Sequence, residues 1–401
     1  MLVDLPEAVV SITLTGCTLE PGSSFCPQLP ALLFKGHEPL PNESINGIFG
    51  SMEGRPFSCQ SPTCAVPLNP TPIQGASFSF YASSTFGDTS KIFNGYVRVL
   101  RAYEDGIEIG WYVDVLSSQW RGSEPQNCMQ SWEVFPPPGG PPSWLSTPPV
   151  DSFLSTEGPL YQLAGALITN GYVDAFSCPS FGLLPNGAAN ECGLEAARSL
   201  VNDWQNRFDR IILEASREAG IPAMLLKRLF AYESQFWPGI YDDVSEAGLG
   251  HLTVEGADVT LLWNEAFYQS FCPLVLNAEY CQKGYSLLDK SNQELLRSAL
   301  FNKVNARCET CPLGIDVSQA DFSIRIFAET LLANCEQVGR IVHNVSGTSP
   351  GTVSSYEDLW RMTLANYHAG PGCLATCHVK SVEKVEAANM GHGQRRIHVR
   401  L

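Results

Sequence analysis

Fourteen cysteines in a chain of 401 residues constrain this sequence more than any other feature. Twelve of them fall into close sequence pairs: Cys17/Cys26, Cys59/Cys64, Cys178/Cys192, Cys272/Cys281, Cys308/Cys311 and Cys373/Cys377. Cys128 and Cys335 remain, to pair with each other or to enter a different pairing. An even number of cysteines spread over short loops reads as a disulfide framework made in an oxidising compartment. The alternative is a four-thiolate zinc site, because Cys308-x-x-Cys311, Cys373-x-x-x-Cys377 and the adjoining His378 approach metal-ligand spacing. Disulfides are favoured, since the remaining pairs lack that spacing.

Charge narrows the list of partners. The formal net charge is −16, and charged residues make up only 16% of the chain. Phosphate backbones are gripped by clustered Lys and Arg, so nucleic acid is not an expected partner. The same balance argues against simple attraction to an anionic membrane or cell wall. No run approaches the ~20 apolar residues of a membrane-spanning helix. The start, Met1 to Gly16, lacks the basic region and long apolar core of a secretory signal, so export is inferred from cysteines alone. With disulfides favoured over zinc, no metal or other cofactor is expected.

The hydrophobic period divides the chain. Residues 1–122 read as an antiparallel β-sandwich. Ala76 to Ala82 alternates apolar and small polar residues, the pattern of a half-buried strand. Two further alternating runs, Tyr96 to Tyr103 and Ile107 to Val113, flank Glu104-Asp105-Gly106, and Asp-Gly supplies the positive φ angles of a tight hairpin turn. Residues 123–155 contain Pro136-Pro137-Pro138-Gly139-Gly140-Pro141-Pro142 and Pro148-Pro149, and read as a semi-rigid linker between separately folding halves.

From 156 to 401 the period becomes helical. Leu194, Ala197, Leu200, Val201, Trp204, Phe208 and Ile211 recur on one helical face. Gly220-Ile221-Pro222 then stops one helix and starts another, which carries Leu225, Leu226, Leu229 and Phe230 towards a core and ends near Glu233. Further amphipathic stretches cover 291–304, 318–342 and 356–366.

Three segments carry candidate chemistry. Ala231-Tyr232-Glu233-Ser234-Gln235-Phe236-Trp237-Pro238 sets a carboxylate among aromatics at a helix end, where desolvation raises its pKa towards that of a general acid. Gly248-Leu249-Gly250-His251 allows close backbone approach to a ligand. Tyr367-His368-Ala369-Gly370 follows a later helix. Each segment alone is ordinary, but in this order they resemble the catalytic domain of soluble lytic transglycosylases, relatives of goose-type lysozyme. The resemblance covers roughly residues 200–380. That family has Glu-Ser followed by Phe and Pro, then Gly-Leu-Met-Gln, then Ala-Tyr-Asn-Ala-Gly. His251 here replaces the family's Gln, and His368 its Asn.

The resemblance implies a lysozyme-like domain that cleaves the MurNAc–GlcNAc bond of peptidoglycan with Glu233 as its single acid/base and a 1,6-anhydro product. It implies that Tyr367 holds Glu233, and that Ser234, Gly250, His251, Tyr367 and His368 line the substrate site. Asp242, Asp243, Glu246 and Glu255 are expected as solvated loop acids. The alternative function is a non-catalytic glycan-binding or cell-surface structural protein that keeps the lysozyme-like shape.

Overall fold

A computed structural model describes residues 6–20, 23–122, 127–238, 246–311 and 314–388, with backbone alone from 373 onward and at 19, 20 and 23. Ten strands come first: β1 Val9–Thr15, β2 Thr18–Glu20, β3 Ser23–Cys26, β4 Ala31–His37, β5 Ile45–Met52, β6 Arg55–Cys59, β7 Thr63–Pro67, β8 Ala76–Ser84, β9 Phe93–Glu104 and β10 Ile107–Leu116. Helices follow: α1 Asn127–Trp132, α2 Tyr161–Thr169, α3 Glu191–Asn206, α4 Asp209–Ala219, α5 Ala223–Glu233, α6 Val254–Trp263, α7 Glu265–Phe271, α8 Ala278–Cys281, α9 Lys290–Val304, α10 Val317–Ser346, α11 Pro350–Val353 and α12 Tyr356–Ala388. No described helix is long and apolar enough to cross a membrane. The chain thus has an antiparallel β region followed by a helical one, and it divides into two compact units.

The β unit comprises residues up to 142 together with 342–361 and 375–388. Its three-stranded sheet runs β1-β4-β7, and its seven-stranded sheet β2-β3-β10-β9-β8-β5-β6, with antiparallel pairing throughout. Alternation decides which face is buried. In β8, Ala76, Phe78, Phe80 and Ala82 point inward, where Ile12, Leu32 and Phe34 of the smaller sheet meet them to form one core. The rings of Phe34 and Phe80 lie 4.9 Å apart. The β9–β10 hairpin turns at Asp105 (φ 49°) and Gly106 (φ 79°), both left-handed, as the sequence predicts. The segments at 127–132 and 356–361 add an aromatic cluster, with Trp132 and Trp360 edge to face at 5.0 Å.

The helical unit comprises 143–341 and 362–374. The apolar stripe over 194–211 predicts one helix; the chain instead breaks after Asn206 and restarts at Asp209. Gly220 ends α4 in the left-handed conformation (φ 69°), and extended Pro222 opens α5, as the Gly-Ile-Pro signal predicts. Asn190, Thr253 and Asp289 cap α3, α6 and α9 by accepting from Gly193, Gly256 and Asn292.

The stretch expected as a linker, 123–155, is ordered into the units wherever it is described. Phe135 is buried under the Arg98 guanidinium, 4.8 Å from its ring centroid. Leu145 and Leu154 are buried within the helical unit. Prolines lack a donor but keep their carbonyls, and Arg217 donates to those of Pro148 and Pro149 at 3.1 and 2.9 Å. The main chain of Ala223, which opens α5, donates to the hydroxyl of Thr147 at 3.1 Å.

Cysteine pairing is local, as expected: Cys17–Cys26, Cys59–Cys64, Cys178–Cys192, Cys272–Cys281 and Cys308–Cys311 are disulfides. Cys128 and Cys335 are disulfide-bonded as well. The bond between Cys308 and Cys311 removes two thiolates from the zinc alternative. The Cys373 and Cys377 side chains lie outside the described residues.

A buried ion pair braces α5 from behind. Lys227 Nζ sits 2.6 Å from Asp209 Oδ1, with side-chain exposures of 1% and 8%. Nζ also donates to Asn206 Oδ1 at 2.7 Å. Burial pushes the lysine pKa down and the aspartate pKa up, while each opposes that change in the other. Removing one member strands a buried charge. Lys227→Met is therefore expected to cost about 3–5 kcal/mol in denaturant unfolding, and the added Asp209→Leu to recover most of it.

Candidate active site

The helical unit brings all three motif segments together. Glu233 is the last residue of α5, whose Leu225, Leu226, Leu229 and Phe230 are buried. Beyond it the backbone reverses through Gln235 (φ 48°) and Phe236 (φ 61°), two non-glycine residues in the left-handed region. The reversal is tied down on several sides. The amides of Ser234 and Phe236 both donate to the Phe230 carbonyl at 3.2 Å. Trp204 Nε1 donates to the Phe236 carbonyl at 2.8 Å, and the Gln162 amide donates to Gln235 Oε1 at 2.7 Å. Phe236 is fully buried and stacks on Phe208.

This ending leaves the Glu233 side chain 13% exposed, with Oε1 3.6 Å from Nδ1 of His368. His368 is 66% exposed and meets the exposed Tyr232 edge to face at 6.4 Å. Burial, the largest influence, raises the Glu233 pKa above the ordinary carboxylate range. Charge on His368 opposes the rise, and the carboxylate of Glu246 adds to it.

The second segment forms a tight turn closed by reciprocal hydrogen bonds between Ala247 and Leu252. Gly248 (φ 75°) and His251 (φ 52°) are left-handed. Gly250 is needed for a different reason: a Cβ there would lie 2.4 Å from the ring of Phe327 and 2.8 Å from the Tyr367 hydroxyl. Tyr367 donates its phenol proton to the Gly250 carbonyl. Burial raises its pKa well above that of a free tyrosine, and the charges of Glu233 and Glu246 raise it further. The phenol therefore stays protonated, bound to the turn rather than to Glu233 itself.

The remaining sequence-predicted residues divide. Ser234, expected to contact substrate, is buried, and its hydroxyl donates to the Phe230 carbonyl at 3.2 Å, so it secures the helix end. His251 is largely buried, with Nδ1 3.4 Å from Glu246 Oε2, and burial lowers its pKa. Glu246, expected as a solvated loop acid, has a side chain 44% exposed and reaches the site through His251 and its charge on Glu233. Glu255 is exposed in the first turn of α6. Asp242 and Asp243 lie outside the described residues.

Two supports had no sequence signal. Asn366, immediately before Tyr367, is buried and donates to Asn334 Oδ1 and Gln337 Oε1 of α10, both at 2.8 Å. The Lys227–Asp209 pair fixes the other face of α5. Each depends on partners distant in sequence.

The Glu233 environment is directly measurable. Carbon-detected NMR titration of the side-chain carboxyl is expected to give a pKa above that of free glutamate. His368→Gln removes the opposing charge and is expected to raise it further; a fall would mean that His368 does not lower the Glu233 pKa.

Against known proteins, no family model, no curated protein and no solved structure matches this chain.

Proposed function

We propose that the helical unit is the catalytic domain of a lytic transglycosylase that cleaves the MurNAc–GlcNAc bonds of peptidoglycan outside the cytoplasm. One observation carries the reading. A single, largely buried carboxyl with a raised pKa, Glu233, ends its helix beside His368 of a segment far away in sequence, and Tyr367 of that segment bonds the Gly250 turn. The disulfides support the compartment, since such bonds persist where the medium is oxidising.

In this reading Glu233 is protonated when substrate arrives and donates to the glycosidic oxygen. The resulting carboxylate then takes the proton of the sugar's own C6 hydroxyl, whose oxygen attacks the anomeric carbon and closes the 1,6-anhydro ring. One carboxyl serves as acid and then base, in place of the usual glycosidase pair. His368 and Tyr232, exposed beside it, flank the reacting bond. Tyr367 keeps the Gly250 turn at its distance, so the amides there meet the N-acetyl groups.

A hydrolase is the second reading, favoured by Glu246. That carboxylate lies near enough to raise the Glu233 pKa, and it would orient an attacking water.

Mass spectrometry of purified peptidoglycan digested by the protein separates the two. Anhydro-muropeptides are expected, whereas reducing ends would indicate hydrolysis and no products a binding protein. General acid/base catalysis contributes about 100- to 10,000-fold, so Glu233→Gln is expected to lose nearly all turnover while still binding glycan. Glu246→Gln is expected to retain turnover. Wild-type cleavage by Glu233→Gln would eliminate the site.

A further inference from the structure

The β unit carries an open groove of about 520 Å³ on the outer face of its larger sheet. Register explains its lining. Phe49 of β5 pairs with Tyr81 of β8 and with Ser58 of β6, and one row along Ser51 pairs with Ser79. Side chains two apart on a strand share a face, so these five stand on the side opposite the core residues Phe78 and Phe80. Phe49 and Tyr81 stack at 5.5 Å with 22° between their planes. Ile92, 67% exposed, extends the aromatic row past the start of β9. The result is an aromatic and aliphatic row beside a row of hydroxyls, with no charged side chain in the lining.

That combination selects a ligand chemistry. Aromatic faces carry negative charge density and attract weakly positive C–H groups, which a pyranose ring presents on one face. Serine and tyrosine hydroxyls both donate and accept, as sugar hydroxyls require. A site for anionic lipid, phosphate or nucleic acid would carry Lys or Arg, and this lining has none. A neutral ligand also meets no repulsion from a chain of net charge −16. The volume lies within the ~300–1,000 Å³ of small-molecule sites.

We propose that this groove is a second, non-catalytic glycan site that binds the uncharged pyranose backbone of a polysaccharide. It stands apart from the cleavage proposed for the helical unit, because nothing in the groove is acidic or basic.

Calorimetry on the full chain carrying Glu233→Gln, titrated with the β-1,4-linked tetramer of N-acetylglucosamine, tests it. Phe49→Ala with Tyr81→Ala is expected to weaken one binding event by about tenfold or more. Ile92→Asp, at an exposed position, sets a charge in the groove and is expected to do the same with an unchanged melting curve, which covers the case that the double variant fails to fold. If the helical unit binds no glycan, the tetramer shows a single event, and that event is the one these variants weaken. No heat with the tetramer, or binding unaltered by Ile92→Asp, overturns the groove, while cleavage of peptidoglycan by the wild-type chain reports separately on Glu233.

Discussion

The helical unit depends on how α5 ends. A helix terminus leaves carbonyls without partners, and here the Phe230 carbonyl accepts from two backbone amides and the Ser234 hydroxyl. Gln235 and Phe236 hold left-handed conformations that ordinarily suit glycine, and the cost is offset by locking them from outside. Full burial of Phe236 and the indole bond from Trp204 provide the lock. A glycine would turn the chain more cheaply but would drop the ring that plugs the core. Side-chain burial thus sets the backbone path, and that path leaves one carboxyl at the edge of the apolar interior.

The other half of the site obeys a steric rule rather than an electrostatic one. Phe327 of α10 and Tyr367 of α12 close on Gly250 from two sides, and there is no room for a Cβ between them. Phe327 also meets Phe230 of α5 edge to face at 5.7 Å. One ring therefore spaces the turn from the helix that ends in Glu233. The amide cluster of Asn366, Asn334 and Gln337 holds α12 to α10 with directed bonds where apolar packing alone would tolerate sliding.

What the sequence made legible followed from local rules. Period-two alternation placed β8, Asp105-Gly106 placed the hairpin, Gly220 and Pro222 placed the α4–α5 break, and short cysteine spacings gave five of the pairs. The burial of the Glu233 carboxyl was likewise readable from its aromatic neighbours. The inward direction of Ser234 was not legible, because adjacency to an acid says nothing of where a side chain points. The Glu246 side chain is partly exposed, as a loop acid should be, but its approach to His251 and Glu233 had no signal, because only the folded turn brings them near. The proline-rich stretch was read as a spacer because proline's missing donor is visible in sequence, whereas the use of its carbonyls by Arg217 is not.

The path of α12 has a consequence for how the protein assembles. Its residues 356–361 belong to the β unit and 362–374 to the helical unit, so each unit is completed by chain that follows a stretch of the other. Tyr367 and His368 reach the Gly250 turn and Glu233 across more than a hundred intervening residues, and contacts so distant in sequence pay their loop-closure entropy late. A chain still emerging from the ribosome has α5 and its glutamate long before it has the helix that faces them. The site is therefore absent from the nascent chain, and its parts can meet only after synthesis has passed α12.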